Sequence, residues 1–201
     1  MEKFNPHHLD ASFIQRFKQQ FNLEGEWIIS TIGRVTQLKD LETFIEAIAI
    51  LNKEFPNVVG LIVGGVRKDK QNYFSTLQNL VNSLHVKECI HFCGSSDKVA
   101  EIYSLSDVVV SSSKKPESFG RSVAEAIALN TPVVATGHGG VLDIINEGIN
   151  GYFVEIENAQ NLAEKIMKAS KLNFNGHTYI AKMFSLNQMV EKTIRIYRDK
   201  A

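Results

Sequence analysis

Short apolar runs alternate along the chain with longer segments in which apolar residues recur at helical spacing. Most of the short runs are continuous rather than alternating, which is typical of strands covered on both faces of a sheet. The strand candidates are Trp27–Ile32, Val58–Val63, Cys89–Cys93, Val108–Ser112, Pro132–Thr136 and Gly151–Val154.

The segments between these runs predict helices. The clearest apolar stripe contains Leu41, Phe44, Ile45, Ile48 and Leu51, which share one helix face. Further helices are predicted over Tyr73–Leu84, after Gly120, after the candidate N-cap Asn158 and over Leu186–Tyr197. This alternation predicts an α/β fold with a doubly wound, Rossmann-like parallel sheet. Because no linker or repeat interrupts it, we expect residues 1–201 to form a single domain.

Composition narrows the classes of function. The 22 basic and 22 acidic residues cancel, so no overall field favours nucleic acid as a partner. Two cysteines, Cys89 and Cys93, are too few for a disulfide framework and form a poor zinc signature. The first residues lack the apolar core of a signal peptide, and no apolar run approaches the ~20 residues of a membrane span. We therefore expect a cytoplasmic protein.

Loops that follow the strands carry the candidate chemistry, because ligands of doubly wound sheets bind outside the carboxyl ends of the strands. In the loop after the fourth strand, Gly120 lies where the loop becomes a helix and permits close approach of a ligand. The amides of Gly120, Arg121 and Ser122 belong to the first turn of that helix, which lacks internal acceptors. This helix start is a candidate phosphate site.

Two carboxylates flank that helix start. Glu125 lies three residues after Ser122 and four after Arg121, so the three share a helix face, while Glu117 precedes the helix. A carboxylate offers two acceptors to a pair of vicinal hydroxyls. Taken alone, either glutamate is explained as well by a solvated charge. For His138, an ordinary loop histidine is favoured over a contact with phosphate or sugar.

The segment from Glu117 to Glu125 resembles the E-x7-E motif of retaining glycosyltransferases with the GT-B fold, especially family 4, also called group 1. The resemblance continues in order from about Ser30 to Ala169. Its other parts are Gly33-Arg34 with Lys39, Ile62–Gly65, Phe92–Gly94, Ser106–Val108, Pro132–Thr136, Gly139-Gly140 and Glu147–Gly151. Two positions depart from the family pattern: Asp40, where glycine is frequent, and Asp143, where glutamate is frequent.

The resemblance implies roles for nine residues. Glu117 is expected to contact hydroxyls of the donor sugar, and Arg34 and Lys39 the diphosphate, which makes these three the catalytic candidates. The substrate-binding candidates are Gly33, Phe119, Gly120, Arg121, Ser122 and Glu125, with Glu125 on the ribose. Recognition of the base is expected near Arg67 and Gly94. The resemblance implies no metal and no other cofactor.

The function implied is retaining transfer of a hexosyl group from a nucleotide-diphosphate sugar to an unidentified acceptor. The chain matches only the C-terminal, donor-binding half of a GT-B enzyme. The N-terminal acceptor domain is expected in cis or on a partner chain, with any contact to the cytoplasmic face of a membrane made through it. The isolated domain is therefore expected to be inactive or weakly hydrolytic. A non-catalytic nucleotide-sugar-binding subunit and a sugar-nucleotide epimerase of the same fold remain alternatives.

Overall fold

The computed structural model describes residues 2–184 and 186–198. The strands are β1 Trp27–Ile32, β2 Val58–Val63, β3 Ile90–Gly94, β4 Val108–Ser111, β5 Val133–Thr136 and β6 Gly151–Val154. The helices are α1 Ala11–Gln20, α2 Leu41–Asn52, α3 Gln71–Ser83, α4 Val99–Leu105, α5 Arg121–Ala128, α6 Ala159–Ala169, α7 Gly176–Phe184 and α8 Leu186–Arg198. Within these ranges, two short 3-10 helices precede α1 and three lie in the loops between later elements.

The six strands form one parallel sheet in the order β3-β2-β1-β4-β5-β6. Strands β1 and β4 are neighbours although two strands and three helices separate them in the chain. The loops that leave these two strands therefore diverge at the carboxyl edge and leave a crevice between them. The predicted α/β class and doubly wound parallel sheet are confirmed.

Helices cover both faces of the sheet. One face packs against α2, α3 and α6, where Phe44 and Ile48 are fully buried. The other face packs against α1, α4, α5 and α7. Consecutive residues of β4 pack against the helices on opposite faces of the sheet, because Val109 lies in one core cluster and Val110 in the other. This two-sided burial explains why the strands read as continuous apolar runs.

Three helices were not predicted from the apolar pattern. Helix α1 buries only Phe17, and its aromatic residues contact one another along one side. Helix α4 has only seven residues, so its pattern spans less than two turns. Helix α7 begins at Gly176, a residue that ordinarily signals a break.

The predicted cap of α6 and the predicted last helix are confirmed. The Asn158 side chain accepts a hydrogen bond from the amide of Asn161 at 2.9 Å. Helix α8 leaves apolar side chains exposed, Tyr197 most of all at 74%. Within the described ranges, no helix is both long enough and apolar enough to cross a membrane.

Asp40 shows why glycine is frequent at its position in the resembled family. As the N-cap of α2 it has φ 48° and ψ 51°, in the left-handed region that glycine adopts without steric cost. Its side chain is 1% exposed, and neither carboxyl oxygen accepts a hydrogen bond from a described residue. Lys114 Nζ, 3.4 Å from Oδ1, supplies a compensating charge.

Substitutions of Asp40 test this account. Asp40→Gly is expected to exceed Asp40→Ala in free energy of unfolding by about 1–2 kcal/mol, because only alanine carries a Cβ into the left-handed conformation. Asp40→Gly is also expected to be at least as stable as the wild type, because it removes a buried carboxylate that lacks hydrogen bonds. Urea unfolding followed by the fluorescence of Trp27, the single tryptophan, measures both differences. Equal stability of the two variants would contradict the backbone argument.

Candidate functional site

A cleft of about 800 Å³ opens at the carboxyl edge of the sheet, where the loops after β1 and β4 diverge. All nine residues proposed from the sequence line it: Gly33, Arg34, Lys39, Glu117, Phe119, Gly120, Arg121, Ser122 and Glu125. Three of them lie in the loop after β1, and the other six lie about 80 positions later, in the loop after β4 and at the start of α5. The structure thus brings the candidates into one concave site, and their individual roles remain predictions.

The first turn of α5 forms one wall of the cleft. Gly120 is its N-cap with φ 83°, a left-handed conformation suited to glycine. The amides of Val123 and Ala124 both donate to the Gly120 carbonyl at 3.1 Å. In the described part of the chain, no acceptor faces the amides of Arg121 and Ser122. These two donors and the positive end of the helix dipole suit an anion at this wall.

The cleft carries more positive than negative charge. Four cationic side chains line it, Arg34, Lys39, Lys115 and Arg121, against the carboxylates Glu117 and Glu125. Arg34, Lys115 and Arg121 are exposed, and no ion pair joins them to any described residue. Unpaired guanidinium groups offer planar, bidentate donors to a phosphate.

Glu117 forms an ion pair with Lys39 across the cleft, which joins the β4 loop to the β1 loop. The Ser113 hydroxyl donates a second hydrogen bond to the Glu117 carboxylate at 2.8 Å. Burial alone would raise the pKa of Glu117, but Lys39, Ser113 and the nearby Arg121 together lower it. Glu117 is therefore a carboxylate at neutral pH and acts as an acceptor.

Glu125 has a different environment. Burial is the largest influence and raises the pKa of its carboxyl, although Tyr103 and Arg121 oppose the shift. The Tyr103 hydroxyl lies 3.2 Å from Glu125 Oε2 and donates to it. Burial also raises the pKa of Tyr103 well above its ordinary value, so the phenol keeps its proton. The two carboxylates of the motif thus have pKa values displaced in opposite directions.

The loop after β5 supports the β4 loop from behind. The Gly140 amide donates to the Glu117 carbonyl at 2.8 Å, and a Cβ on Gly140 would lie 2.6 Å from Phe119 Cα. His138 is explained by structure rather than by ligand contact, since its Nε2 lies 2.9 Å from the Ser113 carbonyl. The Gly-rich turn therefore serves as a surface on which Glu117 and Phe119 rest.

Phe119 lies at the rim of the cleft and is 43% exposed. Its ring packs edge-on against the ring of Phe184 in α7, with 5.6 Å between the ring centroids. Arg67 and Gly94, near which base recognition was expected, do not line the cleft. Arg67 instead forms an ion pair with Asp69 at 3.2 Å. Among the described residues, no group of three or more His, Cys, Asp or Glu side chains converges as a metal site.

Two of the cleft residues that were not proposed from the sequence, Tyr103 and Ser113, donate hydrogen bonds to the motif carboxylates. Tyr103 lies on α4, which is too short for its apolar period to be recognised. The available signal was the tyrosine itself, because a buried tyrosine hydroxyl needs a hydrogen-bond partner. Ser113 ends a run of three serines that begins at the last residue of β4. Its position beyond the carboxyl end of a strand was its only signal.

Comparisons with known proteins agree with this geometry. The family model described as "Glycosyl transferases group 1" matches residues 13–183. N-acetyl-alpha-D-glucosaminyl L-malate synthase of Bacillus anthracis is 27% identical over 192 aligned residues, and the match covers 92% of this chain and 49% of that protein. The chain spans roughly a third to a half of the length of the curated relatives it matches first.

Solved structures give the same picture. A glycosyltransferase from Rickettsia africae ESF-5 superimposes with a TM-score of 0.87 and 28% identity, over 98% of this chain and 54% of that one. HepE of Anabaena in complex with UDP superimposes with a TM-score of 0.85 and 24% identity, over 96% of this chain and 54% of that one. At that identity the HepE match establishes the fold alone. A further structure of HepE contains UDP-glucose.

Glu125→Gln is expected to raise the free energy of unfolding near neutral pH. Because the pKa of Glu125 is raised in the folded state, its protonated side chain contributes to the free energy of unfolding. That contribution is complete below the unfolded-state pKa of about 4.3 and is lost as pH rises through the folded-state pKa. Glutamine keeps an acceptor for Tyr103 without the buried charge. The gain should therefore shrink as pH falls from about 7.5 towards about 4. Urea unfolding at several pH values measures it, with the exposed Glu24→Gln as control. A gain of equal size at every pH would contradict the prediction.

Proposed function

Because this chain belongs to the group 1 glycosyl transferases, we propose that it forms the donor-binding half of a retaining GT-B enzyme. The donor is a nucleoside diphosphate sugar, and the group transferred is a hexosyl residue. The observation that carries the proposal is the convergence of the nine motif residues on one cleft with excess positive charge. The presence of UDP and UDP-glucose in structures of HepE supports a uridine donor as the first to test.

The diphosphate is placed at the first turn of α5. There the amides of Arg121 and Ser122 have no acceptor among the described residues, and the Arg34 guanidinium, which also lines the cleft, forms no ion pair with a described residue. Negative charge develops on the leaving diphosphate as the glycosidic bond breaks. Donors already oriented towards that charge stabilise the transition state more than the bound donor.

The two carboxylates divide the remaining contacts. Glu125 lies one helix turn beyond the phosphate site and is assigned to the ribose hydroxyls. Glu117 lies in the loop ahead of the helix and is assigned to the sugar hydroxyls. Its ion pair with Lys39 also links the sugar site to the diphosphate site. Lys39 is thus placed to exchange a carboxylate for a phosphate when the donor binds.

We propose that the cationic side chains of the cleft bind the diphosphate without a divalent metal ion. Arg34, Lys39, Lys115 and Arg121 surround the site, so they can balance the charge of a diphosphate without a magnesium ion. This assignment separates the proposed enzyme from metal-dependent transferases, in which the ion binds the diphosphate oxygens.

Transfer to an acceptor requires more than this half of the cleft. Positioning two substrates supplies as much as ~7–11 kcal/mol of rate enhancement, and the donor residues alone position one. We propose that an N-terminal acceptor domain, in cis or on a partner chain, supplies the other half. Taken alone, residues 1–201 are then expected to bind donor and to hydrolyse it slowly at most.

Arg34→Ala tests the diphosphate site. The side chain has no described partner to lose, so the loss should fall on ligand binding. A charge-assisted contact of about 1.5–3 kcal/mol predicts that UDP, GDP or ADP binds about tenfold or more weakly, while the parent nucleoside is little affected. Calorimetry with and without chelator measures this, and Arg16→Ala, at an exposed position of α1, is the matched control. Binding that disappears with chelator, or an equal loss for nucleoside and diphosphate, would oppose the assignment.

The two glutamates should separate in the same assay. Glu125→Ala is expected to weaken the nucleoside diphosphate and its sugar conjugate alike, because both contain ribose. Glu117→Ala is expected to remove the advantage of the conjugate only. It should leave the diphosphate as tightly bound or bound more tightly, since Lys39 loses its competing carboxylate. Loss of plain diphosphate binding in Glu117→Ala would show that the roles are wrongly assigned.

A further inference from the structure

The Glu117 carboxylate is held asymmetrically. Both of its donors, Lys39 Nζ and Ser113 Oγ, bind the same oxygen, Oε1. Within the described residues, Oε2 accepts no hydrogen bond. Because Glu117 lines the cleft, the protein fixes one oxygen and leaves the other for a ligand.

We propose that Ser113 is the positioning residue for Glu117: its hydroxyl holds Oε1 so that Oε2 alone is presented to a hydroxyl of the donor sugar. This inference rests on the proposed function for the identity of the ligand, but not for the geometry. Ser113 borders the cleft but is only 5% exposed, and its one hydroxyl proton is donated to Glu117, so we expect it to act on the donor through that carboxylate.

The Ser113 backbone is itself fixed from the next strand. Its carbonyl accepts from Thr136 Oγ1 at 2.8 Å and lies 2.9 Å from His138 Nε2. A carbonyl only accepts, so the His138 ring carries a proton on Nε2. One donor at the end of β5 and one in the loop after it therefore set the position from which the Ser113 hydroxyl reaches Glu117. His138 thus has a structural role, which is to hold the Ser113 carbonyl, and this role involves no contact with a ligand.

Ser113 matters most once the site is occupied. Lys39 and Ser113 share Oε1, and the ammonium contributes the stronger, charge-assisted bond. When Lys39 turns to a diphosphate, Ser113 is the donor that remains on Oε1. Loss of the hydroxyl should therefore affect the sugar conjugate more than the plain diphosphate.

The first test measures geometry without any ligand. The Ser113 hydroxyl contributes to the lowered pKa of Glu117. Ser113→Ala should therefore raise the pKa of the Glu117 carboxyl, followed by carbon NMR of labelled glutamate, and Ser113→Thr should restore it. His138→Leu should give a smaller rise than Ser113→Ala, and His138→Gln, which keeps a donor, should give less still. An unchanged pKa in Ser113→Ala would overturn the proposal.

The second test measures the proposed consequence. Against UDP, Ser113→Ala should bind within about twofold of the wild type. Against UDP-glucose, it should lose about three- to tenfold, the value of one net hydrogen bond. GDP and ADP with their glucose conjugates replace the uridine pair if the wild type prefers them. Ser113→Thr should recover the loss, and a conjugate advantage that persists in Ser113→Ala would overturn the positioning role.

The two tests separate the two claims. If the wild type binds none of the three diphosphates or their conjugates, the proposed function fails, and the Glu117 titration still decides whether Ser113 holds the carboxylate. If the wild type favours the conjugate and Ser113→Ala does so equally, the function stands and the positioning role fails. Thermal unfolding of each variant distinguishes either result from loss of fold.

Discussion

The position of β1 beside β4 is the constraint on which the site depends. In the order β3-β2-β1-β4-β5-β6 the two halves of the sheet meet at this pair. Their carboxyl ends release two loops on the same edge of the sheet, so Lys39 contacts Glu117 across 78 positions of sequence. The cleft, its cations and the start of α5 follow from this adjacency. A different strand order would leave the same residues on separate surfaces.

Close backbone contacts then make the loops rigid enough to hold charge in place. The loop after β5 lies directly beneath Glu117 and Phe119, where Gly140 leaves no room for a side chain. On this support, similar burial has opposite outcomes for two carboxyls: Glu117 has two internal donors and a lowered pKa, whereas Glu125, held by Tyr103, has a raised one. Fixed, partly desolvated groups of this kind reduce the reorganisation that binding a charged ligand requires.

Much of this arrangement could be predicted from the sequence. Continuous apolar runs identified all six strands to within a residue at each end, because strands buried on both faces need apolar residues throughout. The family motif, with the glycine and cations of the first loop, identified nine residues of the cleft. What remained hidden depends on tertiary contacts. The hydrogen bond from Tyr103 to Glu125 joins the short helix α4 to the next helix, α5, and Ser113 acquires its partner only when the loop folds back.

The central claim is that the first turn of α5 and Arg34 receive the diphosphate of a nucleotide sugar. A crystal structure of the chain with bound UDP, grown with chelator, tests it most directly. We expect the β-phosphate within hydrogen-bond distance of the Arg121 and Ser122 amides and of the Arg34 guanidinium. We expect the ribose hydroxyls on Glu125, with no metal between protein and phosphate. A diphosphate bound outside this cleft, or one reached only through a metal ion, would contradict the account.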